Sequence, residues 1–407
     1  MGNSLGIIAE YNPFHNGHKY QLEQSKSISN ADTVVCIMSG NFTQRGMPAI
    51  TDKWSRAQMA LANGVDIVIE LPTIYSVASA ESFAYGSIKI LDSLGVESVA
   101  FGSECGNIDI LQEIANVLYE EPKEYVTLLK HELSKGISFP KARENAILIY
   151  LNDIRRYANI LSNPNNILGI EYLKAIMELD SSIFPITIER IEASHNSLNT
   201  SNNFASSTAI RDIILKEKDF TPYMPEESYA ILNNCIKFGK IINGLAPFEK
   251  EIIYILRRMS TAEIAKLPDV SEGLENKIKE AANECNTVKE LINIVKSKRY
   301  TETRIQRVLI YALLGITKQK ITELYKINPY VRVLGMNKKG KEFVSLTKYN
   351  NPKLQFITSV KDFMEENKNK QLTDMLLLDI LATNIYTLSY DNEPYANLDY
   401  TKKLVIM

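Results

Sequence analysis

The chain has 407 residues, 45% of them hydrophobic and 23% charged, with a formal net charge of −2. Those values exclude a mainly disordered, collagen-like or low-complexity chain and predict a globular protein of two or three domains. Four scattered cysteines without CxxC spacing exclude a disulfide framework, no apolar run reaches transmembrane length, and the opening residues lack a signal-peptide pattern, so the expected location is the reducing cytoplasm with no membrane partner.

Short apolar runs at 5–9, 33–38, 65–71 and 96–101 read as buried strands. Helical patterns at 20–28, 53–63 and 80–94 separate them. This alternation predicts an α/β fold: a Rossmann-like domain with a parallel sheet and helices on both faces. Such sheets bind ligands beyond the carboxyl ends of their strands, where glycine-rich polar segments recur here. Residues 107–180 look mostly helical, and 186–191 reads as a further strand. A boundary is expected near 210–225, followed by a helical region. The last part mixes short strands and turns with one apolar helix at 372–388. The expected division is 1–215, 216–329 and 330–406.

The near-neutral total conceals a basic segment. Residues 296–348 hold 13 Lys or Arg against 3 Asp or Glu. Lys298, Arg299, Arg304 and Arg307 fall near Tyr300, and Lys338, Lys339 and Lys341 surround Gly340. A basic helix and a basic turn with nearby aromatics suit a phosphate backbone. A solvated face balancing the acidic N-terminal part is the other reading.

The sharpest chemical segment runs from the first strand: Gly6-Ile7-Ile8-Ala9-Glu10-Tyr11-Asn12-Pro13-Phe14-His15-Asn16-Gly17-His18. A loop containing His-Asn-Gly-His leads into a helix, whose first turn offers unpaired N–H groups and the positive end of its dipole. Gly17 allows backbone to approach a ligand, and both histidines can donate to phosphate oxygens. The order is neither that of a Walker A loop nor that of a dinucleotide fingerprint. A metal held by His15 and His18, or plain core and capping roles, are alternatives. No HExxH or cysteine pair accompanies them, and no dedicated protein metal site is expected.

A His-x-Gly-His motif after the first strand resembles the signature of the nucleotidyltransferase superfamily that includes class I aminoacyl-tRNA synthetases. Phe204-Ala205-Ser206-Ser207-Thr208-Ala209-Ile210-Arg211 is similar to its second, Ser/Thr-rich signature. The segments Met38-Ser39-Gly40-Asn41-Phe42-Thr43-Gln44-Arg45-Gly46, Asp52-Lys53-Trp54, Phe101-Gly102-Ser103-Glu104, Ser162-Asn163-Pro164-Asn165-Asn166-Ile167-Leu168-Gly169 and Arg299-Tyr300 narrow the likeness. Together with Glu10 to His18 they resemble, in order over nearly the whole chain, the bacterial tRNA(Met) cytidine acetate ligase family.

That resemblance implies an enzyme that activates acetate with ATP as acetyl-adenylate and then acetylates N4 of the wobble cytidine (position 34) of elongator tRNA(Met). ATP is thus a substrate, with Mg²⁺ accompanying it, and no obligate protein partner is implied. The family's ATP-contacting segment falls on Ile8, Ala9, Glu10, Tyr11, Asn12, Pro13, Phe14, His15, Asn16, Gly17, His18, Lys19, Tyr20 and Gln21. Its other nucleotide contacts fall on Gly102, Asn166 and Arg190. After Arg190 the chain departs from the family's usual pattern: Glu192 replaces a glycine and Ser194 a tyrosine, while His195 matches. His15, His18, Ser206, Thr208 and Arg211 are the candidates for stabilising the phosphates during adenylation.

Secondary roles follow. Cys36 reads as core packing, and Cys105 lies close enough to a strand end to approach the site. Lys53 and Arg56 either meet phosphate or tRNA or line a solvated helix. Glu10 positions a substrate amine or hydroxyl, or anchors the loop, and is not assigned as a general base. Asn41, Gln44 and Arg45 are residues of the site edge. Residues 296–348 are the candidate surface for the tRNA backbone. A small-molecule adenylyltransferase of cofactor biosynthesis shares the first motif but needs no basic segment. A non-enzymatic nucleic-acid-binding module needs only the basic segment.

Overall fold

The computed structural model describes residues 3–191, 203–390 and 395–407. Eight strands form one sheet: β1 (Ser4–Ala9), β2 (Thr33–Ser39), β3 (Ile67–Leu71), β4 (Ser98–Ser103), β5 (Phe184–Glu189), β6 (Val331–Met336), β7 (Phe356–Ile357) and β8 (Val405–Ile406). The order is β5-β4-β1-β2-β3-β6-β7, with β8 also against β6. The first five strands are mutually parallel, and β6 joins β3 antiparallel. The first three strands progress one way from β1 and the next two the other way, so the switch point lies between β1 and β4.

The strands read as unbroken apolar runs because both faces are covered and alternate side chains go to opposite sides. Val34, Cys36 and Met38 of β2 belong to one core with Leu22, Trp54, Ala57 and Leu61. Val35 and Ile37 belong to the other with Phe83, Ile88, Leu91, Ile170 and Leu173. Cys36 is fully buried, which pushes its thiol up to about 12. It is core, as expected. Residues 226–324 are helical, as predicted, but they share the second core through Leu256 and Leu309. Among the described residues no helix is long and apolar enough to cross a membrane.

The expected third region, 330–406, does not stand apart. β6 extends the main sheet, and its Arg332 lies opposite Glu70 of β3. Lys53 Nζ sits 2.8 Å from Glu70 and 2.7 Å from Asp399, all with buried side chains. Arg332 pairs with both carboxylates as well. The helix Lys370–Tyr386 adds further ties: Asn41 Nδ2 donates to Thr383 at 3.2 Å, and the Tyr386 hydroxyl donates to the Ala49 carbonyl at 2.9 Å. A short apolar run such as Val331–Met336 looks the same in sequence whether it edges a separate sheet or an existing one.

Candidate active site

Beyond the carboxyl ends of β1, β4 and β5 lies a cavity of about 630 Å³, walled by His15, His18, Gly102, Glu104, Arg190 and Ser206 among others. It sits at the switch point, where the fold leaves a crevice. Its volume suits a nucleotide-sized ligand. Tyr20, Ile188, Phe204, Ile213 and Tyr223 supply an apolar part.

The histidine pair is built by helix capping. His15 precedes the helix Asn16–Ser29, and its Nδ1 accepts from the Gly17 N–H at 3.1 Å. His18 Nδ1 accepts from the His15 N–H at 3.2 Å. This reciprocal arrangement satisfies helix-end donors that would otherwise be orphaned. It also sets the tautomer: with each Nδ1 accepting, each neutral ring carries its proton on Nε2. The rings stack at 3.7 Å, and His18 also meets the edge of Tyr11 at 5.0 Å. A Cβ on Gly17 would come within 2.9 Å of the His15 ring, so glycine is required for this contact. Burial lowers His15 to about 3, with the Arg190 charge adding to the effect. Burial also holds His18 well below its ordinary value, helped by His15 and Arg190. Both rings are therefore neutral donors at neutral pH.

The second motif faces the first. Ser206 caps the helix Ser207–Leu215, its Oγ accepting from the Ala209 N–H at 3.2 Å. Arg211 Nη1 donates to the Asn12 carbonyl at 2.7 Å, and its Nη2 donates to Thr208 Oγ1 at 3.1 Å. Ser206 walls the cavity, whereas Thr208 and Arg211 brace the loop beside it. Asn16 ties the same loop down by donating to the carbonyls of Asn203 at 2.8 Å and Pro222 at 3.0 Å.

Of the segment from Ile8 to Gln21, only His15, Gly17, His18, Tyr20 and Gln21 wall the cavity. Tyr11 and Phe14 are core residues, and Asn12 Oδ1 accepts from the Ile50 N–H at 2.7 Å. The peptide bond between Asn12 and Pro13 is cis, and Tyr11 has φ +46°. Ile8 and Ala9 end β1, and Lys19 lies half-buried on the helix. Arg190 lies past the end of β5, with Gly102 close against its side-chain stem. Glu192, Ser194 and His195 lie outside the described residues.

Sequence reading quoted Glu104 and Asn165 within motifs but missed what they do. Glu104 accepts from the Asn166 N–H at 2.8 Å and from Asn165 Nδ2 at 2.6 Å, closing the start of the helix Pro164–Glu178. Asn166 Oδ1 accepts in return from the N–H groups of Glu104 at 2.9 Å and Cys105 at 3.1 Å. Its Nδ2, buried, has no hydrogen-bond partner among the described residues. The signal was the recurrence of Glu and Asn at two strand and helix ends, but nothing in sequence shows that those ends meet.

Two expectations change. Lys53 is sealed in the ionic network described above. Arg56 is also fully buried and donates to the carbonyls of Thr51, Glu10, Ser39 and Gly40. Neither is available to phosphate or tRNA. The basic segment is also divided. Because β6 runs against β3, the helix Lys338–Asn350 starts at the amino ends of the parallel strands, where Lys339 Nζ donates to the Asp32 carbonyl at 3.0 Å. That is the end remote from the cavity. The stretch around 299–307 lies on the cavity's side: Gly46, at φ +75°, packs so closely that a Cβ would stand 2.3 Å from the Arg307 nitrogen. There Arg307 pairs with Asp269 at 2.6 Å, Arg299 pairs with Glu272 at 2.6 Å, and Arg304 donates to the Asp269 carbonyl at 2.7 Å. Lys298 and Arg299 are exposed.

Among the described residues no group of three or more His, Cys, Asp or Glu comes together as a metal site. Cys105 is half-buried beside Ser103 and Asn107.

Comparison with known proteins gives a consistent result. The model of the HIGH Nucleotidyl Transferase family matches residues 2–400. The tRNA(Met) cytidine acetate ligase of Thermoanaerobacter sp. (strain X514) is 46% identical over 404 residues, covering 98% of this chain and 99% of that protein. The protein of the same name from Acetivibrio thermocellus is 42% identical over 419 residues, covering 99% of each. Thermotoga maritima TmcAL bound with alpha-thio ATP superposes with a TM-score of 0.90 at 32% identity, covering 100% of this chain and 99% of that one. The apo form of that protein gives a TM-score of 0.93.

Proposed function

The chain belongs to the HIGH nucleotidyltransferase family and, within it, to the tRNA(Met) cytidine acetate ligases, and we propose that it activates acetate with ATP and transfers the acetyl group to N4 of the wobble cytidine of elongator tRNA(Met). The observation that carries this reading is the pair of neutral histidines, both Nε2–H tautomers, in a nucleotide-sized cavity whose two motifs are joined by Arg211 on Asn12.

In the first step an acetate oxygen attacks the α-phosphorus and pyrophosphate leaves. Negative charge grows on the phosphate oxygens, and donors already aimed at them need not reorganise. His15 and His18 supply Nε2–H groups there. Ser206 adds a hydroxyl, and Thr208 and Arg211 hold the loop that carries the histidines. Gly102, Asn166 and Arg190 complete the nucleotide contacts, the Asn166 amide, without a partner among the described residues, being a ready donor. Mg²⁺ would accompany ATP and offset its phosphate charge; of the cavity's carboxylates, Glu104 is engaged by Asn165 and Asn166, and Glu189 is exposed.

In the second step the cytidine amine attacks the acetyl carbonyl and AMP leaves. That amine is a weak nucleophile, so holding it against a mixed anhydride is the main requirement. A base in the anticodon loop can be splayed into a pocket. The exposed basic residues near 298 and 299 supply backbone affinity, and the reaction takes place in the cytoplasm without an obligate protein partner.

The test is acetylation of unmodified elongator tRNA(Met) by purified protein with Mg·ATP and labelled acetate, mapped by nucleoside mass spectrometry. Label at N4 of the wobble cytidine, lost without ATP, is the expected result. Acetate-dependent ATP–pyrophosphate exchange without label on tRNA would overturn the acceptor assignment.

A further inference from the structure

Glu10 stands at the carboxyl end of β1, the strand that borders the switch-point crevice. Its side chain is not in the cavity wall. β1 alternates Leu5 and Ile7 into one core and Ile8 toward the other, which puts Glu10 on the face away from the helix Asn16–Ser29. Its Oε1 accepts from the Gln44 N–H at 2.9 Å, and Gln44 Nε2 donates to the Ala78 carbonyl at 2.8 Å. Its own carbonyl is held by Arg56 at 2.6 Å. Oε2 has no hydrogen bond among the described residues. The carboxylate is thus held through one oxygen, and the other has no hydrogen-bond partner among the described residues.

The location joins the two halves of the reaction. On one side is the loop Asn12–His18, braced by Arg211, whose burial lowers its pKa while the Glu10 charge partly offsets that. On the other, exposed Arg45 leads to Gly46, which packs on Arg307 in the basic helix Glu302–Leu314. Of the other carboxylates, Glu189 lines the cavity beyond β5 and is exposed, and three more are engaged. Glu104 closes the helix Pro164–Glu178, Asp52 caps the helix Lys53–Ala62 through Ser55, and Glu70 is sealed with Lys53.

We propose that Glu10 reads the acceptor base and takes its proton: Oε2 accepts from the cytidine N4–H while Oε1 stays on the Gln44 amide. The inference rests on the acetyl-transfer reading above. A carboxylate is the natural acceptor for the cytosine amine, and uracil presents a carbonyl oxygen there instead. In the step itself N4 forms a bond to the acetyl carbon, and the bond from that carbon to the phosphate oxygen breaks. AMP leaves with the electron pair, and one N4 proton passes to Glu10.

Glu10→Gln keeps the contact with Gln44 but turns the free acceptor into an N–H donor. In one preparation, acetate-dependent ATP–pyrophosphate exchange and N4 acetylation of tRNA are both measured. Glu10→Gln is expected to slow tRNA acetylation by about 100-fold or more, while exchange stays within roughly tenfold of wild type. Glu10→Asp, which keeps the acceptor, is expected to transfer faster than Glu10→Gln. Acetylation by Glu10→Gln at the wild-type rate, a parallel fall of both half-reactions, or the reverse order of the two variants would overturn the proposal. A wild-type protein that exchanges but does not acetylate cytidine overturns the acetyl-transfer reading itself, and this inference with it. That outcome shows before any substitution is made.

Discussion

Arg211 and Asn12 are joined by a 2.7 Å hydrogen bond from a guanidinium Nη1 to a backbone carbonyl. This bond couples the Ser/Thr-rich motif to the histidine loop, and the second arm of the guanidinium fixes Thr208 at 3.1 Å. A lysine cannot hold both partners in that fixed fork. Arg211→Lys is expected to lower acetate-dependent pyrophosphate exchange by about 100-fold, the scale of misplacing the histidine donors by roughly 1 Å. Exchange kinetics with saturating acetate check it, and a variant within a few-fold of wild type would show that the brace is dispensable.

The histidine pair has a consequence for acid stability. His15 is held at about 3 against an ordinary value near 6.5. Its folded pKa is depressed, so the unfolded chain takes up a proton that the folded chain refuses. The stabilisation is whole above the ordinary value and is lost progressively as pH falls from there toward 3. At pH 5 the loss from this one residue is about 2 kcal/mol. Urea midpoints at pH 7.5 and pH 5 should differ less for His15→Asn than for wild type.

Lys53 lies between Glu70 at 2.8 Å and Asp399 at 2.7 Å, with Arg332 beside both. A buried network of this kind is weak evidence for net stability, but removing one partner leaves charge uncompensated. Lys53→Met is expected to destabilise the fold by about 3–5 kcal/mol, read from denaturant midpoints. If the midpoint did not move, the C-terminal residues would not be locked to the sheet through this cluster.

The two basic groups should behave differently. Neutralising Lys298 and Arg299, exposed on the cavity's side, is expected to weaken tRNA binding and lower the salt slope by about one per charge removed. Neutralising Lys338 and Lys341, exposed at the far end of the sheet, should leave both unchanged. Filter binding across a salt series distinguishes the groups, and equal effects would place tRNA on both ends.

Much of the fold was legible before any coordinates. The runs at 5–9 and 33–38 correspond to β1 and β2, and the helix expected over 53–63 is Lys53–Ala62. Such elements depend on local periodicity. The cavity's His15, His18, Gly102, Arg190 and Ser206 were also picked out in advance, because motif residues cluster where strands end and helices begin. Thr208 and Arg211, grouped with them as phosphate candidates, do not wall the cavity and hydrogen-bond to each other and to the loop. Spacing brings residues to one place without saying which of them turn inward.

What the sequence determined by itself was the α/β frame, the histidine loop and the order of the motifs. These follow from apolar period, helix capping and the backbone freedom of glycine, all set within a few residues. Only the tertiary structure decided that Lys53 and Arg56 are interior, that β6 closes the main sheet, and that one basic cluster faces away from the cavity. A charge run has the same sequence whether its partners lie across the chain or in the solvent. Lys53 finds Asp399, and Arg211 finds Asn12, only because the sheet order brings distant segments together, and the energy of a charge depends on what surrounds it there.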